Sequence, residues 1–197
     1  MSKMSKRAER AAHTQAKLRE AAISVFARKG FHETKISDIV AEAGVSQPAF
    51  YLYHDSKEVL FETLVSEFRS ELYEATRQCL ISPGLSAEEL YEDLRQSFVR
   101  FLTVLQRDRD LTEIGFFQPA SGETTKEQMI AWITMNMERE QRAGILRDDI
   151  SVRCQARFVM GLLDQMSRII DSEHDVNEFA GICATLFCDA LAAKSLN

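Results

Sequence analysis

The sequence predicts an all-α chain, and three observations carry that prediction. Prolines and glycines are scarce, 3 and 8 in 197 residues, which disfavours many short strands joined by tight turns. Apolar residues recur at helical spacing along almost every long stretch, and no segment alternates convincingly with period two. Helix-start signals, a Ser, Thr or Asp followed three residues later by Glu, stand ahead of several apolar runs. About nine helices and no sheet are expected.

The elements follow in order. Residues 14–29 put Leu18, Ala22, Val25 and Phe26 on one helical face. Gly30 is a C-cap candidate, and Phe31 can fold back on the last turn. Thr34 opens a short second helix with Ile36, Ile39, Val40 and Ala43 apolar. Asp38 near its start suits the helix dipole, and Gly44 ends it. Ser46 is a good N-cap for a third helix, whose first turn accepts Pro48 because the missing N–H costs nothing there. Asp55-Ser56-Lys57-Glu58 starts a fourth helix. Leu60, Leu64, Phe68, Leu72, Ala75 and Cys79 run down one side of it. At about 24 residues it would be about 36 Å long, enough to serve two cores.

Beyond Pro83-Gly84, Ser86 and Glu89 cap a fifth helix carrying Leu90, Leu94, Phe98, Phe101 and Leu105. A short segment, Asp110–Phe117, leads to the loop QPASGE. Thr124 and Glu127 are expected to cap the next helix, with Ile130, Ile133 and Met137 on one side, Trp132 and Met135 elsewhere, and Gly144 as its stop. Residues 150–171 carry Phe158, Gly161, Gln165 and Ile169. Asp175 and Glu178 are expected to cap a last helix with Val176, Phe179, Cys183, Leu186 and Phe187.

Charge is unevenly placed. Residues 1–57 hold ten Lys/Arg against six Asp/Glu, net +4, while the remainder holds fourteen against twenty-four, net −10. A basic first third fits a polyanion partner at that end alone; uneven surface charge without meaning fits equally well. The 4 cysteines form no CxxC pair and no Cys/His ligand spacing, so a reducing cytoplasm fits and no metal is expected. The start, MSKMSKRAERAA, is basic without an apolar run, and nothing reaches the length of a membrane span. The four histidines are scattered. No catalytic constellation and no cofactor motif accompany them.

Three short helices in the first 55 residues, with a glycine turn between the second and third, match a helix-turn-helix. In that motif the later helix enters the major groove with its N-terminal end. On a helical wheel Phe50 and His54 share an inward side, while Gln47, Pro48, Tyr51 and Leu52 form another surface. Gln can bond adenine in two places, Pro48, Ala49 and Leu52 can meet a thymine methyl, and Tyr51 offers a hydroxyl to phosphate. Lys57 at one helix start, and Thr34, Lys35 and Ser37 at another, are phosphate candidates. The plainer reading is a helical cap in which the tyrosines pack and Lys57 is a surface charge.

The stretch AAISVFARKGFHETKISDIVAEAGVSQPAFYLYHDSKEVLFETL resembles the TetR family of transcriptional regulators, through the spaced pattern F…GF…T…I…AGVS…FY.Y…SKE.L. The resemblance implies an all-α homodimer. Its DNA-binding domain would be residues 1–56, with 1–12 a flexible basic arm. Residues 57–197 would bind a ligand and dimerise. Carried onto this chain, Thr34, Tyr51 and Lys57 contact phosphates, and Ser46, Gln47, Pro48 and Ala49 hold the variable recognition positions. His54 departs from the Phe common there, and is expected to pack and bond locally, with DNA contact or pH sensitivity the sharper alternative. Lys3, Lys6, Arg7 and Arg10 could reach phosphates or a minor groove.

For the remaining two-thirds, the last two helices are expected to pair between subunits through Phe158, Gly161, Gln165, Phe179, Cys183, Leu186 and Phe187. A pocket among helices five to eight would be lined by Phe98, Phe101, Phe116, Phe117, Met129, Trp132, Met135 and Met160, an adaptable apolar set suited to a lipophilic ligand. Glu113 and Asp164 are candidates to balance a cationic one. The expected function is a repressor released from a palindromic double-stranded DNA operator by a small-molecule effector, without a membrane partner. A DNA-binding activator or DNA-organising protein, a protein-binding adaptor, and a helical carrier or enzyme are the alternatives.

Overall fold

The computed structural model describes residues 3–193. Its helices are α1 (Lys3–Lys29), α2 (Ile36–Ala43), α3 (Gln47–Tyr51), α4 (Lys57–Arg77), α5 (Ala87–Arg107), α6 (Arg109–Thr112), α7 (Gly122–Arg142), α8 (Val152–Ile169) and α9 (Glu173–Leu191), with a π turn at Glu113–Phe117. Strands are absent among the described residues, apart from one isolated bridge between Leu146 and Ala192. No described helix is long and apolar enough to cross a membrane.

The chain divides into two units, Met1–Phe68 with Asp110–Glu123, and Arg69–Arg109 with Thr124–Asn197. This partition differs from the expected boundary at residue 57. It falls inside α4, and the π turn returns to the first unit because its residues pack on α1.

In the first unit α1 packs on α2, and α2 on α3. Leu18, Ala22, Val25 and Phe26 are buried as their spacing requires, with Ile39, Val40 and Phe50 from the next two helices. Phe26 meets Phe61 edge-on at 5.1 Å between ring centroids, and Phe31 folds back to 4.7 Å from Phe61 and 6.1 Å from Phe26. The Gln118 side-chain amide donates to the Phe26 and Ala27 carbonyls at 3.0 and 3.1 Å, adding a second partner to the Phe26 carbonyl, which already accepts the Gly30 N–H at 2.9 Å, and pinning the last turn of α1. At Gly115 a Cβ would lie 2.5 Å from the Phe68 ring, so the π turn can approach α4 only with glycine there.

The expected flexible arm over residues 1–12 is helical from Lys3, with Lys6, Arg7 and Arg10 exposed along it. Met1 and Ser2, and the side chain of Lys3, lie outside the described residues.

In the second unit α5 packs on α9 and α8. Ser86 and Glu89 form the expected reciprocal cap of α5. Two other caps shift. α7 begins at Gly122, not Thr124, because the Gln118 carbonyl accepts the Ser121 and Gly122 N–H groups and starts the turn early. α9 is capped by Ser172 with Asp175 as the third helical residue, so Asp175 is the reciprocating acid of the box and not its first residue.

Candidate nucleic-acid interface and ligand cavity

The α2–α3 connection is built from Gly44, whose φ of 65° is in the left-handed region that glycine enters without strain. Val45 N–H closes the turn on the Val40 carbonyl at 3.0 Å. Ser46 is the N-cap of α3 by its extended backbone, without a side-chain cap bond, and Pro48 falls in the first turn. The helix is then anchored by one side chain. Phe50 is 0% exposed and touches His54 at 5.5 Å between rings.

Around that anchor the neighbours point outward. Ser46, Gln47 and Pro48 are exposed and Ala49 is half-buried. Tyr51 is 51% exposed and Leu52 80%. The short helix thus displays a leucine, an amide and a phenol together on its exposed side, groups able to make apolar and hydrogen-bonded contacts. Lys35 and Ser37 are exposed at the start of α2.

Two expected phosphate contacts are placed differently. Thr34 is buried, and its hydroxyl donates to the Gly30 carbonyl at 2.7 Å, which closes the turn after α1. The Lys57 ammonium donates to the Phe31 and Thr34 carbonyls at 2.9 and 2.7 Å, with His32 at 3.4 Å, and stands 4.7 Å over the Phe31 ring. Both side chains are directed into the fold, since the turn between α1 and α2 has carbonyls that no helix satisfies. The start of α2 also carries its own anion. The Asp38 carboxylate accepts Lys35 N–H at 3.0 Å and pairs with Lys29 at 3.0 Å, and these two partners hold its pKa below the usual carboxylate range.

His54 packs on Phe50 and its Nε2 has no hydrogen-bond partner; burial lowers its pKa, against the raising effect of Asp55.

In the second unit a cavity of about 60 Å³ is lined by Leu94, Phe98 and Phe101 of α5, Ile133 and Met137 of α7, and Phe187 of α9, with Thr76, Cys79, Ser97, Asn136 and Glu140 as polar members. Of the expected lining, Phe98 and Phe101 are there. Phe116 and Phe117 belong to the first unit, as part of the π turn. Met129 and Met160 are ordinary buried core, Trp132 stacks edge-on against Tyr73 at 5.1 Å, and Met135 is 65% exposed. Asp164 is already neutralised by Lys126 at 2.6 Å and Arg168 at 3.3 Å. Glu140 was not among the sequence candidates. Its signal is its position, three residues after Met137 on the apolar face of α7.

On α8 and α9, Phe158, Gly161, Gln165 and Leu186 are exposed and Phe179 is half-buried. Cys183 and Phe187 are buried in the unit's own core, Phe187 against Phe98, because they lie on the α5-facing side of α9. Ile169 and Ile182 extend the exposed apolar stripe in their place.

A short helix anchored by one phenylalanine, preceded by a left-handed glycine turn and presenting polar and apolar tips outward, defines a helix-turn-helix DNA-binding regulator. The comparisons agree. Residues 18–64 match the family described as bacterial regulatory proteins, tetR family. The uncharacterised HTH-type transcriptional regulator YdgC of Bacillus subtilis strain 168 is 32% identical over 151 residues, 77% of each chain. The chain belongs to the tetR family of transcriptional regulators. A crystal structure of a bacterial regulatory protein in the tetR family from Rhodococcus RHA1 superposes with a TM-score of 0.69 at 22% identity, covering 88% of this chain and 94% of that one. A SmeT–triclosan complex superposes with a TM-score of 0.67 at 18% identity, covering 93% and 94%. These two likenesses show the fold.

Proposed function

We propose that the chain is a repressor that leaves a palindromic operator when a small lipophilic molecule occupies its second unit. The observation that carries this reading is the outward display of Gln47, Tyr51 and Leu52 around the fully buried Phe50. Gln47, Pro48, Ala49 and Leu52 read base edges in the major groove. Tyr51, Lys35 and Ser37 bond phosphates and set the register, while Ser46 stands with the recognition positions. Two copies, joined along Phe158, Gly161, Gln165, Ile169, Ile182 and Leu186, supply the two recognition helices that an inverted repeat needs.

The effector occupies the cavity walled by Phe98, Phe101, Ile133 and Met137. A structural relative holds triclosan, which supports a small-molecule site in this fold. The effector acts by binding one geometry of the dimer better than the other, and α4, whose residues are shared by both units, carries the change.

Selection of bound fragments from random duplex DNA, repeated with metabolite extract, tests the reading. It predicts enrichment of two inverted half-sites and release by a component of the extract. Failure to enrich any sequence would overturn DNA recognition; enrichment without release by any extract would overturn the effector.

A further inference from the structure

The polar groups around the second-unit cavity are one-sided. The Thr76 hydroxyl donates to the Leu72 carbonyl at 2.8 Å, the Ser97 hydroxyl to Asp93 at 2.9 Å, and the Cys79 thiol to Ala75 at 2.9 Å. The Asn136 amide nitrogen donates to the Thr76 carbonyl at 2.9 Å, which turns its oxygen the other way. The hydroxyl and thiol hydrogens of the lining have backbone acceptors, so these side chains offer a guest mainly acceptors; a buried donor beside them, the Arg100 guanidinium, is turned toward the Cys79 sulfur.

Glu140 completes this set. It is 4% exposed, yet its only hydrogen-bond donor is the Ile81 N–H at 3.3 Å, and it makes no ion pair among the described residues. A carboxylate has about four acceptor sites, and a buried one without a counter-charge is costly. Burial raises its pKa to about 7, against the lowering effects of the Ile81 N–H and of Arg139. No other lining side chain is charged; Arg100 of α5 bears on the Cys79 thiol and Arg139 of α7 on Glu140 from nearby, but neither forms an ion pair with the Glu140 carboxylate among the described residues.

We propose that the cavity takes a small lipophilic ammonium ion, whose N–H groups bond Glu140 and the Asn136 oxygen while its apolar body lies against Phe98, Phe101 and Met137. The ammonium supplies what Glu140 lacks, close donors and a counter-charge, and the aromatic faces add cation–π attraction. This rests on the reading of the cavity as the effector site. A neutral guest of the same shape can offer the carboxyl one hydrogen bond but no counter-charge, and an anionic one repels the carboxylate.

The test is calorimetric titration of the full chain, near neutral pH, with benzylamine and with benzyl alcohol, its neutral near-isostere. Benzylamine should bind at least about tenfold more tightly. Glu140→Gln should bring the two affinities within about threefold, with benzyl alcohol binding unchanged. Equal or tighter binding of the alcohol by the unaltered chain, which requires no variant to fold, would overturn the ammonium assignment and leave the cavity a lipophilic site. Retention of the benzylamine preference in Glu140→Gln would overturn the role of the carboxylate. Failure of both compounds to bind into the millimolar range would overturn the cavity reading itself.

Discussion

The Lys57 ammonium donates to the Thr34 carbonyl at 2.7 Å, joining the first residue of α4 to the turn that precedes α2. Together with the bond to Phe31 and the position over that ring, it ties the α1–α2 connection to the start of α4 through one side chain. Lys57→Ala should therefore destabilise the unit by about 1–3 kcal/mol, the usual cost of stranding acceptors bound by a charged donor. DNA affinity should fall at all sequences while the salt slope changes by less than the unit expected of a lost phosphate contact. Chemical denaturation and salt-titrated binding check both parts. A full-unit drop in slope with unchanged stability would return Lys57 to the phosphate.

Phe50 and Leu52 are neighbours of opposite character. Phe50→Ala should cost about 3–5 kcal/mol, because a fully buried aromatic leaves a cavity behind. Leu52→Ala, at 80% exposure, should change stability by less than about 0.5 kcal/mol, yet weaken specific DNA binding. Thermal unfolding and binding measured on the same two variants separate anchor from contact.

The proposed interface gives Gln47 and Tyr51 different tasks. Gln47→Ala should relax preference at one base position of each half-site, costing about 1–3 kcal/mol there. Tyr51→Phe, which removes only the hydroxyl, should weaken all sequences alike. Affinities for a panel of single-base operator variants distinguish them; identical profiles for both mutants would contradict the division.

How much of this was legible in the sequence depends on what each residue answers to. The α2–α3 unit was, since Gly44, Ser46, Pro48 and Phe50 act through local backbone rules and helical spacing. The inward roles of Thr34 and Lys57 were not. A threonine and a lysine at helix starts look the same whether they face phosphate or a neighbouring carbonyl, and only the tertiary position of residues 30–34 decides. Among the expected cavity residues, Phe98 and Phe101 share the inner face of α5, but Met135 had composition in its favour and not position. Glu140 was hidden for the opposite reason. An acid is ordinarily read as solvated, although its spacing from Met137 and Ile133 placed it on the buried stripe.

Glu140 also makes stability depend on pH. Its pKa rises from 4.5 to about 7 on folding. A raised value means that the folded state holds the proton more tightly than the unfolded state. The contribution is therefore fully present below about 4.5 and is lost as pH climbs through about 7. At higher pH the loss is on the order of 3 kcal/mol, which Glu140→Gln should recover. Denaturant midpoints of the two proteins across this range should converge in acid and separate in base, with the variant the more stable. Parallel profiles would contradict the burial of an unpaired carboxyl.

The exposed tip of α3 is the proposed contact with a DNA duplex. A photo-crosslinking side chain at position 52 tests it most directly, in a chain bound to its selected operator. Such a contact predicts crosslinks to bases in the major groove of each half-site, and none from the same group placed at position 158. Crosslinks from position 52 that fall only within protein, or the absence of any to DNA while the operator remains bound, would contradict it.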